Sequence, residues 1–111
     1  MNNVNISLED LATLLRGQPT PVSSNSTSYQ IGKCYLIRTV TMTELGRLVR
    51  VTDTDFVLED ASWVADTGRF AAALKDGTLS EVEPFPNEVI VSRGAIVDGA
   101  EWPHALPRGV K

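Results

Sequence analysis

The sequence predicts a mainly β fold: a small, strongly bent five-stranded barrel carrying an N-terminal helical arm and one short inserted helix. Three observations lead there. Residues 34–98 hold short β-branched and aromatic runs separated by turn residues, with one brief helical pattern among them. The chain has 111 residues, 42% of them hydrophobic, which is enough for one core and one domain. A polar stretch, 18–28, sets a single amphipathic segment apart from that body.

In chain order, residues 1–30 read as the arm. Ser7 suits a helix N-cap, Asp10 can return its hydrogen bond, and Ile6 and Leu11 have the spacing of a hydrophobic staple. Leu8, Leu11, Ala12 and Leu15 form one apolar stripe, and Gly17 ends a helix over 7–16. So short a helix needs something to dock on, so Leu8, Leu11 and Leu15 are the expected oligomer interface. Pro19, Pro21 and the Ser/Asn/Thr run make 18–28 an extended linker. The body, 31–102, begins with strands expected over 34–41 and 45–52, the second placing Leu45, Arg47, Val49 and Val51 on one face and Gly46, Leu48 and Arg50 on the other. A turn at 52–55 leads to a third strand, 56–60. After a break, Asp66 or Thr67 can cap a short helix over 69–75, whose Phe70, Ala73 and Leu74 share a face before Asp76-Gly77 ends it. Pro84 and Pro86 bracket a loop, and two last strands cover 89–91 and 95–98 around Arg93-Gly94. Residues 103–111 are a Pro-punctuated tail.

Two resemblances rest on this body. Leu45-Gly46-Arg47-Leu48, the turn at Asp53, Val57-Leu58-Glu59-Asp60-Ala61 and the run from Val89 to Val97 resemble the two sequence blocks of Sm-like proteins. That likeness implies an Sm-like or SH3-like barrel that joins into rings. Asp55 stands nearest the place of the asparagine with which Sm-like proteins bind RNA bases. Tyr35-Leu36-Ile37-Arg38-Thr39, Gly46-Arg47-Leu48, Leu58-Glu59-Asp60-Ala61 and the segment from Trp63 to Phe70 resemble a family of small phage and prophage proteins with no established activity. This second likeness spans roughly residues 35–98 and implies a phage origin, in the host cytoplasm or within a virion.

Charge and composition narrow the function classes. Ten Lys and Arg against fourteen Asp and Glu give a net charge of −4, opposite to the basic footprint of duplex DNA or anionic membrane binding. No leader-like or membrane-spanning apolar run is present, and a single cysteine excludes an internal disulfide framework. The expectation is a soluble, non-enzymatic protein without a metal or cofactor. His104, in the tail, reads as a surface histidine and Cys34 as a structural thiol. Asp53, Asp55, Glu59 and Asp60 lack the spacing and central glycine of a calcium loop and read as a solvated hairpin tip. The remaining constellation is basic and aromatic: Arg38, Arg69 and Arg93 with Trp63 and Phe70, residue types that pair with phosphates and stack on bases. They form either a ligand site between subunits or a set of core anchors and ion pairs.

The expected function is therefore a homo-oligomeric phage structural or accessory protein, assembling through its arm and barrel edges with itself and with other particle proteins. The alternative is a phage-encoded sponge that holds a small signalling nucleotide in an intersubunit pocket. An Sm-like nucleic-acid-binding ring comes third.

Overall fold

The structure, a computed structural model, describes residues 26–111. The predicted helix over 7–16, its Leu8, Leu11 and Leu15, and linker residues 18–25 lie outside the described residues. The described chain is mainly β: six antiparallel strands in one sheet and one short helix. In order these are β1 (Cys34–Thr39), β2 (Thr43–Val51), β3 (Asp55–Asp66), α1 (Phe70–Asp76), β4 (Glu81–Pro84), β5 (Val89–Ser92), a single 3-10 turn (Arg93–Ala95) and β6 (Ile96–Glu101). The sheet order is β4-β3-β2-β1-β6, and β5 pairs with β3 beside β4.

Both faces of this sheet are covered, and β1 shows why. Tyr35, Leu36 and Ile37 are buried in succession, although a strand turns alternate side chains to opposite faces. Tyr35 and Ile37 join Leu48, Phe56, Leu58, Ala61 and Val91 in one core. Leu36 joins Leu45, Val64, Ala73, Leu79, Val82 and Trp102 in a second. A continuous apolar run is what a strand buried on two sides requires.

Bulges correct the predicted face pattern of β2. Leu48 faces Leu58 and Arg50 faces Val57, so the register slips at Val49. Val51 therefore packs with Leu48 on the first core, not with Leu45 on the second.

The third strand also departs from expectation. It runs on to Asp66 instead of stopping at Asp60, and its bend is a left-handed backbone at Asp60, φ 50°. Aspartate tolerates that conformation better than most residues. Upstream of the bend β3 pairs with β5, downstream with β4, an additional strand that ends at Pro84, the first residue of the expected loop. The sheet thus has six strands where five were expected.

The inserted helix starts one residue later than expected. Neither Asp66 nor Thr67 caps it; Arg69 holds the N-cap position without a side-chain bond. The Asp66 carboxylate instead accepts from the Gly68 amide at 2.8 Å. Gly77, at φ 76°, ends the helix by donating to the Ala73 carbonyl. Ala73 and Leu74 pack on the second core, while Phe70 is 43% exposed. Beyond β6 the tail continues the packing: Trp102 is buried, and Lys111 exchanges two backbone hydrogen bonds with Val82 along the outer edge of β4. No described helix is long and apolar enough to cross a membrane.

Candidate functional site

The strand register assigns each predicted site residue to a face. Directly opposed residues share a face, so Gly99, Ile37, Glu44, Trp63 and Glu83 form one row across β6, β1, β2, β3 and β4. The neighbouring row, Asp98, Arg38, Thr43, Val64 and Val82, points to the other side. Trp63 consequently lies across the sheet from Arg38. Phe70 sits with Arg38, whose guanidinium lies 5.5 Å from its ring centroid. The same guanidinium grips both carboxylate oxygens of Asp98, with Nε donating to Oδ1 at 2.8 Å. These hydrogen bonds hold Asp98 below the ordinary carboxylate range.

Arg93 is committed elsewhere. It donates to the carbonyl of Thr52 at 2.8 Å and of Ser26 at 2.9 Å, and its guanidinium lies 5.4 Å from the Phe56 ring centroid. It fastens the 26–30 segment to the body, where Tyr29 meets Tyr35 and Phe56 edge-on. Arg69 stands exposed at the start of α1. Within one chain the predicted ligand set therefore divides into a contact pair, a structural tie and two separate surface residues.

The carboxylates divide as well. Asp55 accepts from the Thr54 hydroxyl at the β2–β3 turn. Glu59 and Asp60 sit at the bend of β3 and share Arg47, which donates to Asp60 at 2.7 Å and Glu59 at 3.1 Å. The bond from Arg47 holds Asp60 low. Among the described residues no three His, Cys, Asp or Glu side chains group to hold a metal ion. Cys34 is half-buried, and burial pushes its thiol up, against nucleophilic use. His104 is half-buried too, where a surface position was expected: its Nε2 lies 2.8 Å from the Leu74 carbonyl, and its ring meets Trp102 edge-on at 5.0 Å. It ties the tail to α1.

What the register does assemble around Trp63 is a cleft of about 320 Å³ lined by Met42, Trp63, Glu83, Pro84 and Phe85. Each wall has a fixed support. Met42 is held by Thr39, whose hydroxyl donates to the Met42 carbonyl at 2.8 Å and accepts from its amide at 3.1 Å. The Phe85 amide donates to the Ala61 carbonyl on β3 at 2.8 Å. Glu44, opposite Trp63 on the same face, is only 6% exposed, and its carboxylate has no hydrogen-bond or ion-pair partner among the described residues. Burial pushes its carboxyl above the ordinary value. Sequence reading passed over Glu44 because the second strand was started at Leu45. Counting back in twos from Leu48 and Gly46 would have turned it toward the first core.

The sheet also leaves edges. Among the described residues β5 pairs only with β3 and β6 only with β1. On them Ile90 and Val97 are each 63% exposed. No family model, curated protein or solved structure matches the chain.

Proposed function

We propose that the protein is a non-enzymatic self-assembly module, a strongly bent Sm-like or SH3-like barrel that joins copies of itself edge to edge. The meander β1–β2–β3, the return of β6 onto β1 and of β5 onto β3, and the 3-10 turn between β5 and β6 support that barrel type. One observation carries the assembly reading. The outer edge of β5 has no sheet partner among the described residues, Val89–Ser92 bears no charged side chain, and Ile90 on the face beside that edge is largely exposed. Proteins that stay monomeric blunt such an edge by keeping it short or with lysine, proline or a covering segment; β5 is short, at four residues, and has none of the other three among the described residues. On β4 a covering segment is present, the strand-like contact with Lys111.

The nucleotide-sponge reading receives less from the geometry, because Arg38 and Arg93 already have protein partners and Trp63 lies across the sheet from Phe70. The phage setting, whether as a virion component or a factor in the host cytoplasm, rests on the sequence resemblance.

Light scattering after size-exclusion chromatography of the full chain tests the assembly. The expected result is an oligomer that the double variant Ile90→Lys, Val97→Lys converts to monomer with an unchanged circular-dichroism spectrum. A monomeric parent, or a double variant of unaltered mass, overturns the proposal.

A further inference from the structure

Separately from the assembly edges, we propose that the Trp63 cleft binds a cationic side chain, lysine or arginine, presented by a partner polypeptide. The argument starts from Glu44. Register sets Glu44 between Ile37 and Trp63 on one face, and at 6% exposure its carboxylate keeps only a narrow opening to solvent and no protein partner among the described residues, a costly way to hold a charge. Glu44 is not in the cleft wall but stands beside it, next to Trp63, where a held charge can act on whatever the cleft takes up.

The surroundings state what that is. Trp63 is 38% exposed and Met42 44%, so the cleft offers an aromatic face and a thioether to solvent. Glu83 lies directly across Trp63 on β4, which sets one carboxylate on each side of the indole in a single row. Phe85 and Pro84 complete an apolar wall. An aromatic face favours a cation, a flanking carboxylate favours it more, and the apolar walls suit the methylene stem that lysine and arginine carry. A neutral ligand would gain nothing from Glu83 in the wall or Glu44 beside it, and an anionic one would be repelled by both. The volume admits one such side chain and excludes a folded element, so the partner presents it on an exposed loop, terminus or extended segment.

The test is an NMR titration of the full chain, following the Trp63 indole N–H, with three acetylated and amidated tripeptides: Gly-Arg-Gly, Gly-Lys-Gly, and Gly-citrulline-Gly as the uncharged isostere. A single side chain binds weakly, so saturation is expected at roughly millimolar peptide. The proposal expects saturable shifts with the arginine or the lysine peptide, none with citrulline, at least about a tenfold loss in Glu44→Gln, and a smaller loss in Glu83→Gln. Glu83 is exposed, so its variant reports even if the Glu44 variant misfolds. No saturable shift with either cation, an equal response to citrulline, or undiminished affinity in both variants overturns it.

Discussion

Replacing Gly46 by alanine tests the closest approach in the fold. A Cβ built at Gly46 lies 2.8 Å from the Ala61 Cβ, 3.1 Å from the Ala61 Cα and 3.2 Å from the Leu58 Cβ. Non-bonded carbons prefer about 3.5–4.0 Å, so all three contacts are too short, by several tenths of an ångström each. Relief by side-chain rotation is closed, because two of the three atoms are Cβ and one is backbone. Ala61 cannot retreat: it is fully buried, and its carbonyl accepts the Phe85 amide. The two strands must part locally, an overpacking cost of about 1–3 kcal/mol. In a domain of this size each kcal/mol lowers Tm by roughly 4–8 °C, so the melting temperature should fall by about 4–24 °C. Urea titration and thermal melts of the full chain, followed by circular dichroism, measure both. Gly109→Ala is the control, since a Cβ there meets nothing within 4 Å, and it should stay within about 0.5 kcal/mol of the parent. A Gly46→Ala variant as stable as that control refutes the packing argument.

Two further outcomes follow from the geometry. Glu44 takes up its proton more readily in the folded chain than its ordinary value of 4.5 allows, because burial disfavours the anion. Its ionisation therefore weakens the folded state fully above the raised pKa, and that penalty vanishes below the ordinary one. Glu44→Gln should accordingly be more stable than the parent at neutral pH, with the gap in urea midpoints closing as the pH falls; a gap independent of pH contradicts the assignment. Gly77→Ala combines a left-handed backbone, φ 76°, with a Cβ 2.6 Å from the His104 Cγ and 2.7 Å from its Cβ. The expected cost is about 2 kcal/mol, of which about half should disappear in a His104→Gly background; a double-mutant cycle without coupling would deny the contact.

The regular parts of this fold were legible because local chemistry and tertiary role agree there. The β-branched and aromatic runs beginning at Cys34 and Val89 became strands, and Ala73-Leu74 became the buried face of a helix ended by Gly77. The second half of β3 was not legible, and Asp60 is the reason. Its left-handed backbone shifts the alternation, so Leu58 and Ala61, three residues apart, face the same core and imitate a strand end. Pro84 hid β4 in the same way, since proline argues against a strand except at the end position it occupies here. The cleft was half visible. Trp63 stood out by type, but Met42, Glu83 and Phe85 come from a turn, a strand and a loop that only pairing register brings together. The arginine cluster showed the reverse: residues alike in type were distributed by that register to different faces and partners.

The bend at Asp60 lets one continuous strand serve as the spine of two modules. From Thr67 to Asn87 the polypeptide leaves the flank of β3 and returns to it, and the ladder joining 55–58 to 89–92 closes without any contribution from that excursion. Additions or deletions in its turns, clear of Phe85, which packs against the first core, therefore leave the 55–58 to 89–92 pairing in register. The excursion also carries Glu83, Pro84 and Phe85, while its Ala73, Leu79 and Val82 complete the second core, so the outer jaw of the Trp63 cleft is anchored in the same packing that holds the frame.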